Sequence, residues 1–199
     1  MKAGILEKEL ALDVAHRAER LLQLRGFATL LTRTGDTYVS LTGRAAIANE
    51  QRHCVFISIH FDDGARPAAT GVETYYAAHQ ISSNPMRVLS WLPFLQRTSF
   101  EPANVESQSL ASFIQDALVT HTQAVDRGTR PQQFFVIANV RHPAVLVEGG
   151  FLTNTEEMNK LATGDYREQI AAAISDGVTR YREVLRQQRT PLAVSLPGG

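Results

Sequence analysis

The sequence is poor in features that would settle its function at a glance. It holds one cysteine, Cys54, in 199 residues, so a disulfide within the chain is excluded. It has no surplus of either charge, 20 basic residues standing against 20 acidic ones, and so lacks the basic footprint of a nucleic-acid-binding protein. No apolar run approaches the roughly 18 residues needed to span a membrane. The opening Met1-Lys2-Ala3-Gly4-Ile5-Leu6-Glu7 has no sustained apolar stretch behind its lysine, so no export signal is expected in it. A phosphate-binding P-loop, a GxSxG elbow and a Cys-x-x-Cys pair are all missing.

What is present describes an ordinary globular domain. The residues are 44% hydrophobic and 20% charged, and the length suits one domain with a real core. Leu10, Val14, Ala18, Leu21 and Leu22 recur at helical spacing, which predicts a helix over 9–25 stopped by Gly26. A short strand is expected over Phe27–Thr32, a turn at Thr34-Gly35-Asp36 and a helix over 42–51. His53–Phe61 is a continuous apolar run of the kind buried on both faces of a sheet, with Cys54 in it as a small hydrophobe. Further strands are expected over Gly71–Ala77, Phe134–Ala138 and Ala144–Val147, and a helix over 107–124. Asn154 with Glu157, and Asp165 with Glu168, form capping-box patterns that open a short helix and a long one. Residues 80–106, with Pro85, Pro93 and Pro102, are expected to form an insertion, and residues 188–199 a disordered tail. Strands alternating with helices predict an α/β fold, a three-layer sandwich with a mostly parallel central sheet flanked by helices.

In open sheets of this kind, ligands bind at the carboxyl ends of strands. His60 and Glu148 both fall near such ends. Neutral imidazole is the commonest protein metal ligand, so zinc leads the functional options for His60; a structural, half-buried histidine is the alternative. Glu148 follows Pro143-Ala144-Val145-Leu146-Val147 and precedes Gly149-Gly150. A carboxylate behind five apolar residues is costly unless paired or metal-bound. The two glycines would allow a tight turn and close approach of a ligand, whereas a salt bridge to Arg127 or Arg141 would make Glu148 structural. Glu7 alone reads as a carboxylate favouring a helix dipole. His16 lies off the apolar stripe of its helix, His53 precedes the strand, His79 and His121 have no acidic or cysteine neighbours at ligand spacing, and His142 is a candidate substrate contact in the loop before Pro143.

Taken together, these segments resemble the zinc-dependent N-acetylmuramoyl-L-alanine amidase family. The likeness covers about residues 4–186. It is carried by Leu6-Glu7-Lys8 with Leu12 and Ala15, and by Leu31-Thr32-Arg33 with Asp36, Leu41, Arg44, Ala48 and Asn49. Phe56-Ile57-Ser58-Ile59-His60, Gly71-Val72-Glu73-Thr74-Tyr75-Tyr76, Asp126-Arg127-Gly128 and Pro143 through Asn154 follow in the same order as in the family. The resemblance implies that Glu7 and His60 are zinc ligands and that Glu148 is the catalytic carboxylate. It implies hydrolysis of the amide between the lactyl group of N-acetylmuramic acid and L-alanine of the stem peptide. It also implies peptidoglycan as the partner, a periplasmic or cell-envelope location, and room for an activator protein acting on the insertion 80–106, whose Trp91, Phe94 and Phe100 could line a groove or seal a lid.

One departure from the family pattern shapes a further expectation. The family's first zinc ligand is a histidine in a glycine-rich loop upstream of the Glu-Lys motif, and this chain opens on that motif. An amidase catalytic domain over 1–187, shortened at its N-terminus and short of one sheet strand and one zinc ligand, is therefore expected. The alternatives are an amidase-like protein that binds peptidoglycan without cleaving it, and a zinc peptidase acting within the stem peptide.

Overall fold

The computed structural model describes residues 6–62, 68–80 and 104–189. Helix α1 (Glu7–Leu24) opens with Glu7 and Glu9 in its first turn, where carboxylates favour the helix dipole, and buries Leu10, Val14 and Ala18 at a spacing of four. Gly26 follows in the left-handed conformation, as its position past the helix end predicts. Helix α2 (Leu41–Asn49) is capped by Ser40, whose side chain accepts from the Gly43 N–H at 3.0 Å.

Strand β1 (Phe56–Asp62) pairs in parallel with β4 (Ala144–Phe151). Strand β2 (Val72–Tyr76) runs antiparallel to β4 and parallel to β3 (Asp126–Pro131), giving the order β1-β4-β2-β3. Two of the three pairings are parallel, so the sheet is mostly parallel as expected.

Side chains alternate across this sheet and divide the core in two. One face carries Phe61, Val72, Val145 and Val147 against α1, α3 (Val105–Thr122) and α6 (Gly164–Arg189). The other carries Phe56, Ala144 and Leu146 against Ala45 and Ala48 of α2 and Val136 and Ile137 of α4 (Phe135–Ala138). Helix, sheet and helix layers therefore stack as the sequence implied. Helix α5 (Thr155–Leu161) connects β4 to α6.

Several expectations fail for physical reasons. Phe134–Ala138 is mostly the short helix α4, not a strand: a short apolar run buried against another layer looks the same in either state. Phe27–Thr32 forms no strand and joins no ladder among the described residues. Instead the segment from Phe27 to Ser40 wraps the start of α1: Arg33 donates to the Lys8 carbonyl at 2.5 Å and Lys8 meets Asp36 at 2.6 Å. Strand β3 was not expected, because Asp126–Pro131 has no apolar run; it is a half-exposed edge strand. The long helix α6 starts at Gly164 and places Asp165 inside its first turn, while the Thr163 hydroxyl accepts from the Tyr166 N–H. The expected insertion over 80–106 falls largely outside the described residues, as does most of the tail over 188–199.

Candidate active site

His60, Glu148 and Glu73 form a row on one face of the sheet. His60 is the register partner of Glu148 across the β1–β4 pair, and Glu148 is the register partner of Glu73 across the β4–β2 pair. Directly opposed residues point to the same face, with Cβ atoms about 5 Å apart. The row crosses the sheet toward the C-terminal ends of β1 and β4, although β4 runs three residues past Glu148.

Glu7 completes the β1 side. It is the first residue of α1, whose apolar stripe packs on the other face of the sheet, and its Oε1 lies 2.9 Å from Nδ1 of His60. The Phe61 N–H also donates to that oxygen at 3.4 Å. On the other side of the ring, Ser58 Oγ lies 3.0 Å from Nε2. The hydrogen bond from His60 holds the Glu7 carboxyl below its ordinary value against the opposing effect of burial, with Arg44 contributing at longer range. Glu7 is thus an anion at neutral pH.

A carboxylate oxygen and an imidazole nitrogen converging at 2.9 Å are suitable zinc donors. When Nε2–H is donated to Ser58, the Nδ1 lone pair faces the carboxylate, an arrangement that calls for a cation between them. This second hydrogen bond is the usual means of fixing a metal-binding tautomer. Among the described residues, no group of three or more His, Cys, Asp or Glu side chains gathers around one point. The donor set fits zinc in chemistry and would supply two ligands of the three expected for a catalytic ion.

Glu73 was not singled out from the sequence, yet it is the most deeply buried carboxylate of the row, 2% exposed. Arg127 donates from Nε to its Oε2 at 3.2 Å. Arg130 places Nε 2.6 Å from Oε1 in an ion pair too bent to be a hydrogen bond. Both arginines come from the unforeseen strand β3, so the strand that hid from the sequence carries the cations of the site. Arg127, named as a structural partner for Glu148, instead pairs with Glu73 and lies 5.0 Å from the Phe151 ring. Tyr75, next on the same face of β2, has its hydroxyl pushed up to about 12 by burial and by the anions Glu73 and Glu148, with Arg130 opposing them.

The two glycines behind Glu148 do not form the expected turn; β4 continues through them to Phe151. A Cβ on Gly149 would come within 2.7 Å of the Phe61 ring, and Gly150 has φ +144°, which favours glycine. Glu157 is not the partner in a capping box either. Asn154 caps α5 alone, accepting from the Glu156 and Glu157 N–H groups at 3.0 and 3.2 Å. The buried Glu157 carboxylate instead accepts from the Thr70 hydroxyl at 2.5 Å and from the N–H groups of Gly71 at 2.6 Å and Phe151 at 2.7 Å. It clamps the entry of β2 to the end of β4.

His142 is not a substrate contact near Glu148. It precedes β4, at the opposite end of the strand, and its Nε2 meets the Gln51 carbonyl at 3.0 Å. Cys54 is partly buried, which pushes its thiol up and away from thiolate chemistry. No helix among the described residues is long and apolar enough to cross a membrane.

The chain is similar to known amidases in sequence and in fold. The chain is 34% identical over 178 residues to the N-acetylmuramoyl-L-alanine amidase LytC of Bacillus subtilis, covering 89% of this chain and 32% of that one. It is 30% identical to the N-acetylmuramoyl-L-alanine amidase AmiA of Escherichia coli, covering 89% of this chain and 69% of that one. The chain thus spans about a third of LytC and about two thirds of AmiA. The crystal structure of an N-acetylmuramoyl-L-alanine amidase from Clostridium difficile 630 superposes with a TM-score of 0.76 at 30% identity, over 91% of this chain and 86% of that one. A family model described as N-acetylmuramoyl-L-alanine amidase matches residues 1–180, and the chain belongs to that family.

Proposed function

We propose that this chain is a peptidoglycan hydrolase, cleaving the amide between the lactyl group of N-acetylmuramic acid and L-alanine of the stem peptide, with zinc held by Glu7 and His60. The observation that carries the reading is the row of His60 and Glu148 on neighbouring strands, with the anionic Glu7 carboxylate 2.9 Å from the imidazole. Membership of the amidase family supports the choice of bond. Such a substrate places the protein's action at the cell envelope, outside the cytoplasm.

When bound, zinc supplies a Lewis acid that polarises the amide carbonyl and lets water lose a proton near neutral pH. The protein's own residues do the rest. Ser58 orients the His60 ring through Nε2, so that Nδ1 faces the same point as Glu7. Glu148 stands one strand away on the same face. It accepts a proton from the attacking water and returns it to the leaving alanine nitrogen, the work of one carboxylate used first as base and then as acid. Burial of Glu73 beneath Arg127 and Arg130 keeps the far side of Glu148 charged but ordered.

The test is product identity. The purified chain, supplied with zinc, is incubated with a soluble N-acetylmuramoyl peptide, and the products are read by mass spectrometry. The expected products are intact N-acetylmuramic acid with a free lactyl carboxylate and a peptide with a free alanine amine. Cleavage between amino acids would replace this reading with a peptidase. Peptide binding without cleavage would replace it with a non-catalytic one. Glu148→Gln should fold normally and lose turnover by about 10²–10⁴-fold, the usual contribution of a positioned proton-transfer group.

A further inference from the structure

The carboxylate Glu73 is buried beside Glu148, and two guanidinium groups serve it. Glu148 stands beside Glu73, so two carboxylates face two guanidinium groups, and the two arginines differ in what else they do. Arg127 is committed: it donates to Glu73 and to the Thr70 carbonyl, and its guanidinium lies over the Phe151 ring. Arg130 meets Glu73 at its Nε in an ion pair that is not a hydrogen bond, and its side chain is 58% exposed. An exposed guanidinium offers the paired Nη edge that binds a carboxylate in a two-pronged fashion.

The position of that guanidinium says what it can meet. Arg130 is the register partner of Tyr75, on the same face as Glu73 and Glu148. Strand spacing is about 4.8 Å, so β3 lies about 10 Å from β4, and the guanidinium leans back over β2 to reach Glu73. The guanidinium therefore stands roughly 5–10 Å to the side of Glu148, about two or three residues of extended peptide from the reacting bond. Charge then selects the part of the substrate. In an N-acetylmuramoyl peptide the sugar is neutral, because its lactyl carboxyl is consumed in the scissile amide. The substrate's negative charges all belong to the peptide.

We propose that Arg130 determines specificity by binding a carboxylate of the stem peptide, with buried Glu73 as the fixed anion that aims it. This deepens the amidase reading and rests on it for the identity of the substrate. Wild-type chain should cleave an N-acetylmuramoyl tripeptide with free carboxylates faster than the same compound with those carboxylates amidated. The ratio of the two kcat/KM values should be about tenfold or more, the size of one charge-assisted contact. Arg130→Gln should bring this ratio close to one. Arg130→Lys, which keeps the charge and loses the fork, should fall between them and shows that the site still folds. A wild-type ratio near one, or an Arg130→Gln variant that keeps the wild-type ratio, overturns the proposal.

Failure of the amidase reading is read separately. Binding of the same two compounds is measured calorimetrically in the presence of a chelator, where turnover plays no part. If neither compound is ever cleaved but the wild type still binds the free acid more tightly and Arg130→Gln does not, the carboxylate site stands without the enzyme. Equal binding of both compounds by the wild type sinks the site whether or not cleavage occurs.

Discussion

The Glu7–His60 half of the site lies on an edge of the sheet, while the Glu148–Glu73 half lies on the two inner strands. On the edge side, β1 pairs only with β4 among the described residues, and its outer flank lines a shallow cavity of about 150 Å³ with Ala11, Leu12, Ala15 and Leu30. Glu7 and His60 are 44% and 31% exposed and meet through one strong hydrogen bond. On the inner side, Glu73 is held by two arginines, and Glu157 clamps the neighbouring strand ends with three accepted hydrogen bonds. The difference follows from solvent. A half-exposed pair can change partners at little cost, which suits donors that must receive a cation. A buried carboxylate must keep its partners, because losing them leaves a desolvated charge.

The comparison breaks most visibly in stability. The double change Arg127→Ala with Arg130→Ala strands the Glu73 carboxylate and should cost about 3–5 kcal/mol by urea denaturation. Replacing Glu73 by Leu as well should recover much of that loss, since the buried anion goes with its partners. On the edge side His60→Ala should cost about 1 kcal/mol, a typical net hydrogen bond. Equal losses in the two halves would refute the contrast. Glu157→Ala comes next: it leaves the Gly71 and Phe151 N–H groups without their acceptor, for about 3 kcal/mol. Loosening there should also reach β2 and β4 in amide exchange before it reaches α1.

The sequence was informative where burial was continuous or periodic. The apolar runs around Phe56–Ile59 and Ala144–Val147 read as strands buried on both faces, and Leu10, Val14 and Ala18 mark α1 by spacing. Those elements position Glu7, His60 and Glu148; local chemistry in the sequence pointed to Glu148, whereas His60 was raised mainly, and Glu7 almost entirely, by the family resemblance. The charged support was not legible. Strand β3 is made of Asp126, Arg127, Gly128, Thr129, Arg130 and Pro131, polar residues that pair by backbone alone. Without β3 there was no reason to give Glu73 two cations, and an acidic residue in an alternating strand reads as solvated. The position of Glu73 two residues before Tyr75, on the face that carries Glu148, was the one available signal. Glu157 was read through the local capping pattern, while its real partners are 6, 86 and 87 residues away in sequence. Local grammar outweighed a long-range contact that no single sequence displays.

A finer test bears on the edge half. Ser58 touches the His60 ring from the buried side and has no place on the opposite half. Ser58→Ala should leave folding within about 0.5–1.5 kcal/mol of wild type. Zinc affinity, measured by competition with a chromogenic chelator, should fall about 10–100-fold, as it does when an outer hydrogen bond to a ligating histidine is lost. An unchanged affinity would mean that Ser58 does not set the ring. The same substitution should leave any Arg130 dependence on substrate carboxylates untouched, since the two lie on opposite sides of Glu148.

The smallest effect concerns how α1, and with it Glu7, is tied down. Asp13 on α1 accepts from Arg17 at 2.9 Å and from Arg167 of α6 at 2.5 Å. Burial pushes the Asp13 carboxyl up, and the hydrogen bonds from Arg17 and Arg167 outweigh that, so it lies below the usual 3.8. A carboxyl whose folded pKa is depressed adds stability above its unfolded pKa and loses that stability as pH falls through the folded value. Wild type should therefore be equally tethered from neutrality down to about pH 5 and weaken below about pH 4. Asp13→Asn, which cannot ionise, should be less stable near neutrality and show a shallower loss of Tm as pH falls below about 4. The side chain is 38% exposed, so solvent screening limits the difference to about 1 kcal/mol or less. Parallel Tm curves for the two proteins would show that the arginines hold α1 by packing and not by charge, and the edge half of the site would then owe its placement to the apolar stripe of Leu10, Val14 and Ala18 alone.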